Sequence, residues 1–553
     1  MLKNNYNYWL ILILVLAFAL RIFKVTTIPP SLNWDETSIG YNAYSIMKTG
    51  KDEWGEFMPV HFKSFGEYKL PTQIYASIPA IAIFGLNEFG VRITPVVYGT
   101  LTVLLLYFLT RELFAKSLFT NHYSLITAFM LAVSPWHIQL TRASFESSFS
   151  LFWFVMGSWF LIRGFNNKPK LLIVSMIPFV ISVYTYNTAR VFTPLFLFVV
   201  YLLNIKFLLK NFRYLAFSFL AFVVLVLPIV PFVFSGGAVA RYKLVSITDD
   251  KGLIPRIEER RNLSKLPPLL TRLIHNRYTY NTFYFSKNYV AHFTPNFLFI
   301  NGAGHRQHHV QGIGELYWIQ LPFLLYGLNF LIKRKHGSLK ILIPWLLIAF
   351  IPVSMTNDSI PNALRTLIAV PVYQIFTAIG LFEVLSMIKD PRSKIKVILF
   401  VLVLFIINFY IYLINYFTNY PIKYSRDWQY GNKQAVEYIK NNQDKYDLVV
   451  FTRHYGEPHI FTLFNLQYDP TKFQSLNNLE RFETFDWVRV LRFDKYYFPD
   501  LRDEGTRYDD IVKANPNKKI LFIGKKGDFP EYKEVLERIN FLNGDPAFEI
   551  VEN

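Results

Sequence analysis

The sequence predicts a mainly α-helical, polytopic membrane protein with about 11 transmembrane helices and a small extracytoplasmic α/β domain at its C-terminal end. Three observations carry this reading. The apolar residues, 52% of the 553-residue chain, come in long blocks rather than at scattered core positions. The basic residues behind the formal charge of +19 gather in short clusters between those blocks. After Thr418 the pattern changes to short alternating and helical stretches.

The first apolar block, 8–23, lacks the small-residue cleavage site of a removable signal peptide and reads as a retained helix. Further spans are predicted at 91–114, 122–139, 145–162, 171–186, 191–209, 212–234, 315–332, 339–355, 362–388 and 395–417, each near the roughly 20 residues needed to cross hydrocarbon. With a cytoplasmic N-terminus, every inside turn is basic: Arg111, Glu112 and Lys116; Arg163, Lys168 and Lys170; Lys206, Lys210 and Arg213; Lys333, Arg334, Lys335 and Lys340; Lys389, Arg392, Lys394 and Lys396. This placement accounts for the charge without nucleic acid. The outside then receives the loops 26–90 and 235–314, short turns near Glu146, Asn187 and Asp358, and everything after Thr418. The segment 70–84 is short and carries Pro71 and Pro79, so it is expected along the outer interface or as a re-entrant helix.

The expected domains are therefore 1–418, the membrane part, and 419–553, a soluble α/β part. In the latter, "YDLVVFT" and "KKILFIG" read as strands, and "GNKQAVEYIKNN" and "EYKEVLERINF" as helices. It contains no dinucleotide or phosphate-loop motif and no metal-ligand spacing. The chain has no Cys, which excludes disulfides, thiolate metal sites and a Cys nucleophile.

On the predicted outer face the main acidic residues of the first half are Asp35, Glu36, Glu67, Glu88 and Glu146. A carboxylate beside Trp34, Phe145 or Phe149 at the membrane boundary loses solvation and needs a partner or a purpose. Asp35 is read as functional and Glu36 chiefly as a helix cap. Four cations, Lys69, Arg142, Arg190 and Arg365, lie at outer helix ends against the charge rule. Arg142 and Glu146 have helical ion-pair spacing, Lys69 has the reach to snorkel to headgroups, and Arg190 and Arg365 suit an anion such as a lipid phosphate. His305, His308 and His309 stand in a glycine-rich loop without zinc-motif context, so surface or substrate contact is favoured over zinc.

The Asp-Glu pair, the stretch "EYKLPTQIYASIPAIAIFGLNEFGVRITPVVYGTLTVLLLYFLTRELF", then "RASFESSFSLFWF" and "YTYNTARVFTPL", in this order, resemble the GT-C membrane glycosyltransferases of the protein O-mannosyltransferase and aminoarabinose transferase superfamily. The resemblance covers residues 9 to about 388. It implies a GT-C fold, a polyprenyl-phosphate sugar donor, and inverting transfer to a protein, lipid or glycan acceptor at the outer face of the cytoplasmic membrane. It sets Asp35 on the catalytic acidic position, Glu146 on the second, and Lys69 on the phosphate-contacting lysine. Glu36, Arg142, Tyr186, Arg190, His305, His308 and Arg365 are the expected substrate contacts. Family members often have Lys-Pro-Pro where this chain has Lys69, Leu70 and Pro71, and commonly Asp where it has Glu146. No cofactor is required by this chemistry, although Asp35 and Glu146 could hold a divalent cation. A carboxylate-pair glycosidase leaves the outer cations unexplained. A transporter or flippase of lipid-linked sugars is the alternative; such proteins keep ionisable groups near the bilayer midplane and often show repeated halves. A non-catalytic scaffold for the outer domain predicts that the acidic and basic residues do not converge.

Overall fold

The computed structural model describes residues 5–234, 245–250, 252–483 and 487–553. The chain divides into two compact units. The first comprises Met1–Arg21, Val97–Thr141 and Glu146–Leu413; the second comprises Ile22–Val96, Arg142–Phe145 and Ile414–Asn553.

The first unit is helical. Each apolar block predicted to span contains helix, but the blocks differ in length and continuity, and 315–319 of the block 315–332 is not helical. Among the described residues, five helices are long and apolar enough to cross a membrane: Glu88–Leu113, Glu146–Asn166, Phe212–Phe232, Ala363–Met387 and Pro391–Lys423. Shorter apolar helices cover Tyr6–Ile22, Leu171–Val183, Asn187–Leu203 and Leu339–Ser354. Where one span was expected at 122–139, the structure has two helices, Thr120–Ala132 and Pro135–Leu140. Pro135 has no amide hydrogen to donate, so the helical ladder stops before it. The fully buried Arg21 meets the carbonyls freed there, donating to Ala132 O at 3.1 Å and Leu131 O at 3.4 Å, and it also contacts His137 Nδ1 at 2.7 Å. Two other helices, Gln320–Lys333 and Val370–Met387, touch backbone to backbone at Gly327 and Gly380. A Cβ on Gly380 would come within 1.8 Å of Phe323 O, and one on Gly327 within 2.0 Å of Phe376 O. Of the loop expected at 235–314, residues 235–244 and 251 lie outside the described residues. The remainder holds the helices Leu253–Leu263, Pro268–Ile274 and Arg277–Ala291.

The second unit carries the sheets. A hairpin pairs β1 (Phe62–Ser64) with β2 (Glu67–Lys69). Seven further strands, β3 (Leu448–Phe451), β4 (Glu480–Glu483), β5 (Val488–Phe493), β6 (Tyr496–Tyr497), β7 (Ile520–Gly524), β8 (Glu537–Asn540) and β9 (Pro546–Glu552), lie in the order β4-β5-β6-β3-β7-β9-β8. β3 is parallel to both β6 and β7. The tail strands expected at "YDLVVFT" and "KKILFIG" are β3 and β7, and the helix expected at "GNKQAVEYIKNN" is Asn432–Asn442. "EYKEVLERINF" is not helical. Its end forms β8, antiparallel to β9, because Ile539 and Phe541 are buried at a spacing of two residues, and cross-strand packing outweighs helix propensity.

The division into units differs from a linear boundary at 418. Strand alternation sends Val449 and Phe451 of β3 and Leu521 and Ile523 of β7 to one face of the sheet, where they share a core with Ile39, Tyr41 and Ile46 of the helix Trp34–Thr49 and with Ile74 and Ile81 of Pro71–Phe84. The opposite face, with Leu448, Val450, Ile520 and Phe522, packs on Tyr508 and Ile511. The first loop thus supplies part of the tail's hydrophobic core. Arg481 Nη2 to Glu53 O (2.9 Å), Tyr41 Oη to Tyr468 O (3.1 Å) and Lys433 Nζ to Glu88 Oε1 (2.6 Å) add polar ties.

Candidate functional site

In the second unit the acidic pair opens the helix Trp34–Thr49, and its two members do different work. Glu36 closes a capping box: its amide donates to Asn33 Oδ1 at 2.9 Å and its Oε2 accepts from the Asn33 amide at 3.3 Å. Its carboxylate also accepts twice from Arg92, Nε to Oε1 and Nη2 to Oε2, both at 2.9 Å, and once from the Ser144 amide at 2.9 Å. Glu36 and Arg92 are both fully buried. Arg92 donates as well to Val25 O (2.9 Å), Pro29 O (2.8 Å) and Ser31 O (2.5 Å). Arg142 fastens the same segment, from Nη2 to Phe23 O (2.6 Å) and Ile28 O (2.8 Å), with Nε on Tyr416 Oη (3.1 Å). Glu36 and Arg142, expected as substrate contacts, therefore hold the chain that leads into the helix. Arg142 lies in the turn that precedes the helix Glu146–Asn166.

Asp35 is placed differently. Its side chain is 37% exposed and accepts a hydrogen bond from Lys69 Nζ at 2.5 Å, while the Lys69 side chain is only 2% exposed. The hairpin ends at Lys69, and Leu70 caps the helix Pro71–Phe84, whose proline at the first position suits a helix start. Residues 34 apart in sequence are thus brought into contact by two short elements.

In the first unit Glu146 begins the helix Glu146–Asn166, half-buried, and its charge acts on Arg190 in the helix Asn187–Leu203. The Arg190 guanidinium lies 5.3 Å from the Phe232 ring centre, and its Nε and Nη2 are buried without a hydrogen-bond partner. Tyr186 is the extended residue that precedes this helix. Arg365, expected to meet an anion, is met within the protein: Nη2 contacts Asp358 Oδ2 at 2.5 Å and Nη1 donates to Thr356 Oγ1 at 2.9 Å. His305 and His308 stack, with ring centres 3.7 Å apart. The buried His309 sits with Nδ1 3.0 Å from Glu315 Oε1 and Nε2 2.5 Å from Ile313 O. Burial opposes its protonation, but the Glu315 carboxylate and the carbonyls of Ile313 and Asn301 outweigh that and hold the imidazole above its ordinary range. Among the described residues no group of three or more His, Asp or Glu side chains is gathered as a metal site.

Two functional supports escaped the sequence reading. Arg92 and Arg21 are as fully buried as Arg142, and both carry the signal used for the other arginines, a guanidinium at the edge of an apolar block.

Residues 75–232 match the family described as dolichyl-phosphate-mannose-protein mannosyltransferase. No curated protein matches the chain by sequence. Among solved structures, ArnT from Cupriavidus metallidurans is similar in the apo state, at 11% identity and a TM-score of 0.54, over 99% of this chain and 98% of that one. The same protein bound to undecaprenyl phosphate aligns at 11% identity with a TM-score of 0.53, over 100% and 98%. The archaeal oligosaccharyltransferase AglB from Archaeoglobus fulgidus, in complex with an inhibitory peptide and a dolichol-phosphate, aligns at 16% identity and a TM-score of 0.51 over 84% of this chain. The chain spans 64% of that protein's length. Both neighbours are GT-C glycosyltransferases. The motifs quoted from the sequence and the fold thus agree: the chain has several helices long and apolar enough to cross a membrane and a fold similar to those of ArnT and AglB, and its segment 75–232 matches the dolichyl-phosphate-mannose-protein mannosyltransferase family.

Proposed function

We propose that the protein is an inverting glycosyltransferase that moves a sugar from a polyprenyl-phosphate donor to an acceptor hydroxyl at the outer face of the cytoplasmic membrane. The observation that carries this reading is the contact of the part-exposed Asp35 with the buried Lys69. Fold neighbours that bind undecaprenyl phosphate and dolichol-phosphate support the donor class.

An acceptor hydroxyl is a poor nucleophile until a carboxylate takes its proton. In the proposed step the acceptor oxygen bonds to the anomeric carbon, the bond from that carbon to the phosphate oxygen breaks, and the acceptor proton passes to Asp35. The phosphate leaves with an added negative charge, which Lys69, already charged and poor in water contact, stabilises more in the transition state than in the ground state. A monophosphate leaving group carries less charge than a diphosphate, so the scheme requires no divalent cation. The basic inside turns support the outer placement.

Reconstituted in vesicles supplied with a polyprenyl-phosphate sugar and an acceptor extract, Asp35→Asn is expected to lose transfer by at least 100-fold while still binding donor, a loss of the size general-base removal gives. Transfer at the parental rate would defeat the assignment.

A further inference from the structure

In open α/β sheets, ligands bind outside the carboxyl ends of the parallel strands, where successive connections leave in opposite directions. In the tail sheet that edge lies between β3 and β7, which are adjacent and parallel. After β3 the chain runs toward the β4-β5-β6 side, and after β7 toward β8 and β9. The loop leaving β3 ends at Gly456 and Glu457.

This loop is built against the residue that precedes Asp35. Gly456, at φ +129°, lies so near the Trp34 ring that a Cβ would come within 2.6 Å of it. Gln429 joins the two, accepting from the Trp34 amide at 2.8 Å and donating to Tyr455 O at 2.9 Å. Two more rings complete the surface. The Trp487 ring centre is 5.9 Å from that of Trp34, and Phe65, in the turn of the hairpin that ends at Lys69, is 5.9 Å from Trp34 and 6.4 Å from Trp487. The Val488 amide ties this group to the hairpin by donating to Phe65 O at 2.6 Å.

Behind the rings lies a buried carboxylate with incomplete partners. Glu457 accepts from Trp487 Nε1 at 2.5 Å, but it is 3.7 Å from Arg489 Nε and 3.6 Å from His459 Nδ1, both too long for hydrogen bonds. Those two nitrogens are buried without a hydrogen-bond partner. The Arg489 side chain is 34% exposed, and Trp34 and Trp487 are half-buried. Part-exposed indoles, with Arg489 3.7 Å from the carboxylate that accepts from Trp487 Nε1, suit a pyranose or furanose ring, whose C–H faces stack and whose hydroxyls reach the planar donors. Glu457 balances the Arg489 charge, which favours a neutral hydroxyl-rich ring over a phosphate or carboxylate.

We propose that Trp34, Trp487, Glu457 and Arg489 form a saccharide subsite beside Asp35, so that the acceptor is a sugar hydroxyl. Its assignment to the acceptor, rather than the donor, rests on the reading of Asp35 as the base. The sugar ring would lie against the tail domain and present one hydroxyl to the Asp35 carboxylate, which gives the tail the task of acceptor choice.

Saturation-transfer NMR on the full-length protein in detergent, with methyl glycosides of common hexoses and pentoses and with Ser/Thr peptides, tests this without donor. At least one glycoside is expected to bind, with Trp487→Ala and Arg489→Gln each weakening it by at least 10-fold. Arg489→Gln, at a partly exposed position, keeps the test open if Trp487→Ala does not fold. Absence of glycoside binding, binding unaltered by both variants, or peptide binding in place of glycoside overturns the subsite. Donor-dependent transfer without glycoside binding would count against the subsite alone, and glycoside binding without such transfer against the proposed reaction alone.

Discussion

Two adjacent carboxylates can be read as one acidic patch, but Asp35 and Glu36 leave the helix start in different directions and have different partners. Glu36 is locked by Arg92, Asn33 and Ser144, with no exposure; Asp35 keeps an open side and a single short contact to Lys69. Removing one member of a buried ion pair leaves the other charge without compensation, at about 3–5 kcal/mol. Glu36→Gln should therefore lower the thermal unfolding temperature of the purified protein markedly, and Asp35→Asn, whose carboxylate is part-exposed, should lower it less. The same unit contains Asp52, whose burial pushes its carboxyl up to about 6 against opposing hydrogen bonds from the Glu56 and Trp54 amides. A raised acid pKa means that its favourable contribution is present below the unfolded value near 3.8 and lost as pH rises through about 6. Asp52→Asn is accordingly expected to stabilise the protein at pH 7 and above by up to about 3 kcal/mol, and not at pH 4, in unfolding measured across that range.

At the scale of elements, long apolar blocks were legible because a bilayer demands about 20 apolar residues and because helices satisfy their own backbone there. The division of 122–139 was less legible: Pro135 is visible in the sequence, but the buried arginine that meets the freed carbonyls comes from a helix 110 residues earlier. β8 was missed for a related reason, since its strand state depends on β9, and local pattern alone favoured a helix. Helix contacts are equally nonlocal. Gly327 and Gly380 read as unremarkable residues in apolar runs, yet their lack of a side chain sets the approach of two helices. Gly380→Val would force these helices apart, and the expected outcome is loss of the monodisperse folded species in size-exclusion chromatography, with Ser386→Ala, an exposed position on the same helix, as the unaffected control.

For the whole molecule, the sequence reading recovered the membrane class and the resemblance, but not the way the tail is used. A boundary after 418 follows the change in composition. The folded second unit instead combines the tail with the first loop, because Ile39, Tyr41, Ile74 and Ile81 complete a core that the sheet cannot close alone. Truncation after Thr418 should consequently leave those side chains uncovered, and limited proteolysis is expected to cut within 22–96 in the truncated chain while sparing that segment in the full chain. Of the site, Asp35 and Lys69 could be named from sequence, since a carboxylate and a cation at apolar block ends are conspicuous. Arg365 could not be separated from them, because its partner Asp358 is given by the fold of a turn and not by charge pattern.

The central claim is that Asp35 takes the acceptor proton while the membrane-side machinery holds a lipid-phosphate sugar. Single-turnover transfer from prebound radiolabelled polyprenyl-phosphate sugar, compared between the parental protein and Asp35→Asn, tests it most directly. The account predicts equal donor occupancy with release of labelled product slowed at least 100-fold in the variant; equal occupancy with product formed at the parental rate would contradict it.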